Sequence, residues 1–201
     1  MAGGSFASRG TVVTMRVAVT GGIAEGKTTV VRYLAELGFQ TASSDQFARE
    51  CFQEPDVQRQ LAKILDSDEP VVPARLRAAI ESSSSVRRQV NRVMHPGVVS
   101  RIQASKAQFI EVPLLIEACL HPLFDQVWVV TCGPEEQLRR LRERDGTSPV
   151  GTLVESQLSS FAKTPFGDVV VRTNLPLETV KRFVWHAAKH AFGLEIARFE
   201  G

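Results

Sequence analysis

The 201-residue sequence holds no apolar run approaching the ~20 residues a membrane-spanning helix needs. Its three cysteines, Cys51, Cys119 and Cys132, are odd in number and far apart. They have neither disulfide nor metal-ligand spacing, so they read as thiols of a reducing compartment, and a cytoplasmic location is expected. Net charge is only +2, too small to argue for a nucleic-acid partner. No internal repeat and no low-complexity tract appears beyond the serines at 82–85. An Asn-Lys-x-Asp segment, by which a GTPase reads guanine, is missing too. The leader Met1–Thr14 (MAGGSFASRGTVVT) lacks the apolar centre of a secretory signal and is expected to be dispensable.

What is present is otherwise ordinary for a globular chain, 43% hydrophobic and 23% charged, enough to bury one full core. Against that background one stretch stands out. The apolar run Val17-Ala-Val19 reads as a buried strand, and Gly21-x-x-x-x-Gly26-Lys27-Thr28 follows it with the spacing of a phosphate-cradling P-loop. Glycines open backbone angles closed to other residues, so successive N–H groups can converge on an anion. Val30, Val31, Leu34 and Leu37 then lie at helical spacing, and the helix dipole adds to the attraction for phosphate. Gly22, Ile23, Ala24, Glu25, Gly26, Lys27, Thr28 and Thr29 are therefore the expected ATP-binding set. Lys27 can reach the β- and γ-phosphates, and the Thr28 hydroxyl can ligate Mg²⁺.

Apolar runs at Phe39–Ala42, Gln108–Val112, Gln126–Thr131 and Asp168–Val171 alternate with helical patterns. They predict a three-layer α/β fold with a five-stranded parallel sheet and right-handed crossovers, with nucleotide at the carboxyl ends of the strands. One helix is expected to stop at His95-Pro96 because the residue before proline disfavours the α region. Pro113–Glu117 is expected to open another helix, and Pro149–Phe161 to be helical. The helical stretch 46–106 is too long for a single crossover and reads as an acceptor-binding subdomain within one kinase domain, 15–201. Residues 134–165 read as a lid region.

Asp45, just past the second strand, should lie near the mouth of the loop, as a helix N-cap, a functional carboxylate, or both. Glu111, ending its strand, is the candidate acid that reaches Mg²⁺ through water. Arg139, Arg140, Arg142 and Arg144 fall on one helix, either as a solvated face or as the edge of a lid, with Arg140 and Arg144 sharing a side at i, i+4. His95 is a helix-end residue or a substrate contact, and Arg49 and Arg77 are surface residues or receive substrate phosphates. Asn174 is a turn residue or touches adenine.

Taken in order, these segments resemble the dephospho-CoA kinase family over about residues 15–179. Val-Ala-Val-Thr-Gly-Gly-Ile-Ala-Glu-Gly-Lys-Thr-Thr is similar to the family's Leu-Thr-Gly-Gly-Ile-x-Ser-Gly-Lys-Ser. Asp45-Gln-Phe-Ala-Arg49 matches its Asp-x-Ile-Ala-Arg, and Leu76-Arg77 and Met94-His95-Pro96 its Leu-Arg and Leu-His-Pro. Glu111-Val-Pro-Leu-Leu-Ile-Glu117 resembles Asp-x-Pro-Leu-Leu-Phe-Glu. Glu136-Gln137, Arg140, Arg144, Gln157, Lys163 and Asn174 follow in family order. The chain departs from the pattern at Ser43-Ser44, at Thr152, at Thr164-Pro165-Phe166 and in a shortened segment between Arg49 and Leu76.

The resemblance implies transfer of the ATP γ-phosphoryl to the ribose 3′-hydroxyl of dephospho-CoA, giving CoA and ADP. Asp45 would orient that hydroxyl and accept its proton. Lys27, Arg140 and Mg²⁺ would hold the spreading charge. Arg49, Arg77, His95, Leu115 and Glu117 would lie on the acceptor side, in a monomer or weak homo-oligomer. A kinase for another nucleoside or small alcohol, and a nucleotide-binding module without catalysis, are the competing readings.

Overall fold

A computed structural model describes residues 15–145 and 158–194. Five parallel strands form one sheet in the order β2-β3-β1-β4-β5: β1 (Val17–Gly21), β2 (Thr41–Ser43), β3 (Phe109–Glu111), β4 (Gln126–Thr131) and β5 (Val169–Arg172). Strand β1 lies at the centre, and its Val17, Ala18 and Val19 are fully buried because helices cover both faces.

Alternation along the strands builds two cores. On one face Val17, Val19, Phe109, Trp128, Val130 and Val171 meet Val30 and Leu34 of α1 (Lys27–Glu36). The closing helix, Leu177–Ala191, adds Val180, Val184 and Ala188 to that core. Tyr33 of α1 is buried there as well, and its hydroxyl finds no hydrogen-bond partner among the described residues. On the other face Ala18, Ile110, Val127 and Val129 pack against Ile102 and Leu115.

A third core stands apart from the sheet. It joins α2 (Ser44–Phe52), α3 (Pro55–Ile64), α4 (Pro73–Ser82) and the first half of α5 (Ser84–Ala104) through Cys51, Val57, Leu61, Val71 and Val90. Ser83 caps α5 by accepting from the Val86 N–H at 3.3 Å, as the serine run predicts.

Two expectations from local pattern are overturned. Helix α5 does not stop at His95-Pro96; it runs on to Ala104 with Pro96 inside it. An internal proline costs a helix ~3 kcal/mol, and tertiary packing outweighs that cost. Beside the proline α5 lies against α2, where a Cβ placed on Gly97 would come within 2.5 Å of the buried Cys51 sulfur. Beyond it the helix reaches the core on the sheet through Val98 and Ile102.

Pro113–Glu117 does not open a helix either; the chain makes a series of turns up to Cys119, which takes a left-handed φ of 54°. Of the stretch expected to be helical at 149–161, Gln157 and the residues before it lie outside the described residues, as do Thr152, the leader and the middle of the lid region. The described end of it is a short helix, α7 (Ser160–Lys163). Helix α6 (Pro134–Asp145) and the closing helix, α8 (Leu177–Ala191), complete the fold.

Candidate active site

The carboxyl ends of β2, β3 and β1 share one edge of the sheet. Register sets Glu111 between Val19 and Ser43, so the loop after β1 and the start of α2 flank the Glu111 carboxylate. The loop itself leaves β1 at Gly21, where a Cβ would sit 2.2 Å from the Val130 carbonyl oxygen. It then passes through left-handed conformations at Ala24 (φ 60°) and Gly26 (φ 91°). No side chain caps α1 at Gly26, so the N–H groups of its first turn remain available to an anion.

Lys27 is buried, and its ammonium donates to the Gly22 carbonyl at 2.7 Å. Burial pushes its pKa down; Glu111, Glu25 and Asp45 pull it up, and Lys163 opposes them. Thr28 faces outward, its hydroxyl donating to both Glu111 carboxylate oxygens at 3.2 and 3.4 Å. Desolvation pushes Glu111 above the usual carboxylate range, only partly offset by Lys27 and by the Thr28 bond, and Asp45 pushes it the same way. An exposed hydroxyl beside a carboxylate is an all-oxygen donor pair suited to a hard cation that keeps most of its waters, as Mg²⁺ does.

Asp45 is not the N-cap of α2. Ser43 holds that place, and Asp45 lies exposed in the first turn of the helix. Beside it opens a cleft of about 940 Å³, whose lining includes Asp45, Arg49, Arg77, Arg87, Met94 and Leu114. Arg49 and Arg77 are thus brought to one cleft with Asp45, although they come from different helices.

Other predicted acceptor residues are placed elsewhere. Leu115 is fully buried in the core beneath the sheet, and its neighbour Leu114 faces the cleft instead. The turns after β3 carry the two side chains in different directions, where a helix had been expected. Glu117 accepts from the Lys163 ammonium at 2.9 Å and from the Leu158 N–H at 3.0 Å, and so ties the turns after β3 to α7. His95 lines a separate surface groove with Arg88, Asn91, Arg92, Pro96 and Val99, since the unbroken α5 puts it on a different face from Arg87 and Met94, which line the cleft.

On the far side of the loop, Arg140 donates to the Thr173 carbonyl at 2.6 Å, to its hydroxyl at 3.2 Å, and to Glu136 at 2.8 Å. The Thr173 hydroxyl in turn donates to the Glu25 carbonyl at 2.7 Å, so Arg140 braces the loop through β5. Glu136 is held down at about 2, chiefly by its hydrogen bonds to Arg139 and then Arg140. Arg144 lies in the last turn of α6, and Asn174 is exposed in the turn after β5.

Sequence reasoning missed Thr173, and it named Lys163 and Glu25 without the contacts they make in this network. Thr173 follows a strand end as an unremarkable threonine. Lys163 is fully buried, and its ammonium also donates to the Pro113 carbonyl at 2.8 Å. The Glu25 side chain turns inward to the sheet, and the loop pattern leaves that position unspecified. A run of four helical residues carrying both Ser160 and Lys163 is too short to signal itself.

Comparison with known proteins adds four findings. The family model described as dephospho-CoA kinase matches residues 15–178. The dephospho-CoA kinase of Fusobacterium nucleatum is 31% identical over 177 residues, covering 82% of this chain and 92% of that protein. Among solved structures, one from Thermus thermophilus superposes with a TM-score of 0.76 at 22% identity, covering 91% of this chain and 98% of that one. The dephospho-CoA kinase from Campylobacter jejuni superposes with a TM-score of 0.65 at 21% identity, covering 90% and 98%.

Proposed function

The chain belongs to the dephospho-CoA kinase family, and from that membership we infer a division of labour among the residues gathered at the sheet edge. The enzyme transfers the γ-phosphoryl group of ATP to the ribose 3′-hydroxyl of dephospho-CoA, the last step of CoA biosynthesis. The observation that carries the residue assignment is that Asp45 stands on the side of the cleft lined by Arg49 and Arg77, close enough to Lys27 and Glu111 to shift both.

Phosphoryl transfer asks little covalent chemistry of a protein; it asks for an in-line acceptor and for charge stabilisation. Asp45 orients the acceptor hydroxyl and takes its proton. Lys27 and the N–H groups of the loop hold the β- and γ-phosphates. Thr28 and Glu111 would hold Mg²⁺, which would supply charge neutralisation to the phosphates. Arg49 and Arg77 receive the acceptor's own phosphates, with Leu114 beside them in place of Leu115. Arg140 braces the loop from β5 and lies on the side where charge develops, with Arg144 beyond it. Asn174 stands where the adenine of ATP would rest. No described helix is long and apolar enough to cross a membrane, which fits a cytoplasmic enzyme.

Incubation with Mg-ATP and dephospho-CoA, with ADP and CoA followed together, tests the whole reading. Asp45→Asn is expected to lower turnover about 10²–10⁴-fold, the usual contribution of a positioned base, while ATP affinity stays within twofold. Full turnover in that variant removes Asp45 from the mechanism. Turnover with other alcohols but not dephospho-CoA would move the acceptor assignment to another substrate.

A further inference from the structure

The Glu25 carboxylate lies inside the phosphate loop and only 2% of the residue is exposed. A buried carboxylate is costly unless donors surround it, and here three do. The Gly22 N–H donates to Oε2 at 2.5 Å, the Ser160 hydroxyl donates to the same oxygen, and the Thr131 hydroxyl donates to Oε1 at 3.2 Å. These donors come from the loop, from α7 and from the end of β4. Ser160 also accepts from the Gly22 N–H at 3.2 Å, closing a small ring of bonds beneath the loop.

The backbone on either side of Glu25 is left-handed, at Ala24 and at Gly26. Ala24 carries a Cβ that disfavours this conformation, so something else must hold the loop in it. The side chain of Glu25 points to the sheet while its own carbonyl accepts from Thr173, so the residue is gripped from two sides.

We propose that Glu25 is a positioning residue for the nucleotide: its carboxylate fastens the phosphate loop to β4 and α7 through the Gly22, Thr131 and Ser160 donors. The proposal rests on the assignment of Gly21–Thr28 as the ATP site, and it concerns ATP rather than the acceptor.

The test compares Glu25→Gln, Ser160→Ala and the double variant. Glu25→Gln is expected to raise KM for ATP about tenfold, the loss of a charge-assisted hydrogen bond, with KM for dephospho-CoA within twofold. At saturating ATP, kcat of Glu25→Gln should change far less than KM for ATP, a split that general damage to the fold would not give. Ser160→Ala, which removes one donor, should raise KM for ATP in the same way with kcat again little changed. The double variant should be no worse than Glu25→Gln alone, since both changes break one linkage. Equal rises in both KM values, a kcat that falls as far as KM for ATP rises, or additive losses would overturn the proposal. Equilibrium titration with ATP needs no acceptor, so it reads Glu25 even if dephospho-CoA proved to be the wrong substrate. Should Glu25→Gln fail to fold, Thr131→Val and Ser160→Ala remove the donors one at a time; unchanged ATP affinity in both would equally sink the idea.

Discussion

Glu111 is a carboxylate whose surroundings disfavour its own charge. Desolvation raises its pKa, and Lys27 and Thr28 recover only part of the loss. The folded protein therefore holds this proton more tightly than the unfolded chain does. Its stabilising effect is complete below the ordinary carboxylate range and is lost as pH rises through the higher folded value. At neutral pH the charge is carried at a cost, for the sake of the cation it can hold. Glu111→Gln is accordingly expected to raise the unfolding midpoint of the nucleotide-free, metal-free protein at pH 7 by about 1–2 °C, since solvent screening of this partly exposed group leaves only a small effect on stability. The same variant should lose turnover about 100-fold. Thermal unfolding at two pH values checks the sign: the gap between variant and parent should narrow as pH falls below about 4. A midpoint that falls at pH 7 would contradict this account. Lys27, Thr28, Asp45 and Glu111 were legible in the sequence because strand ends and loop spacing locate them by backbone alone. Leu115 and His95 were misplaced because choosing between neighbouring side chains depends on the turn that carries them. Glu25 was visible only as one letter of the loop, since nothing local reveals that Ser160 and Thr131 wait on its far side.

Elements were read well where the pattern was long and badly where tertiary packing overruled it. The apolar run at Gln126–Thr131 and the periodic closing helix allowed only one reading. Pro96 argued correctly about local preference, yet α5 passes through it because both of its halves are held by other elements. The sulfur of Cys51 rests where a side chain on Gly97 would have to go. Gly97→Ala is therefore expected to destabilise by about 1–3 kcal/mol, although alanine by itself favours a helix by ~1 kcal/mol. In a Cys51→Ala background the same change should become neutral or stabilising, because the obstructing atom is gone. A double-mutant cycle on denaturant midpoints measures the difference, and additive effects would show that the contact is not what limits Gly97.

For the molecule as a whole, the two halves of the reaction rest on separate cores. The phosphate loop stands on the sheet, whereas the Arg49 and Arg77 side of the cleft stands on the cluster around Leu61. Leu61→Ala should cost about 2–5 kcal/mol. Hydrogen exchange is expected to lose protection across α2–α4 first, with β1 and β4 still protected and ATP still bound. Uniform loss across both cores would show one cooperative unit instead. The sheet order carries a different consequence, for the making of the chain. Strand β1 leaves the ribosome before every other strand, yet Val17 pairs with Phe109 on one side and Gln126 on the other. Such distant partners make folding slow, because a long loop must close before pairing rewards it. Until β3 and β4 are synthesised, the apolar β1 has no neighbour on either edge, and so invites chaperones and misassociation. The nucleotide cradle is therefore synthesised well ahead of the strands that support it, and a nascent fragment ending before β4 is expected not to bind ATP with it.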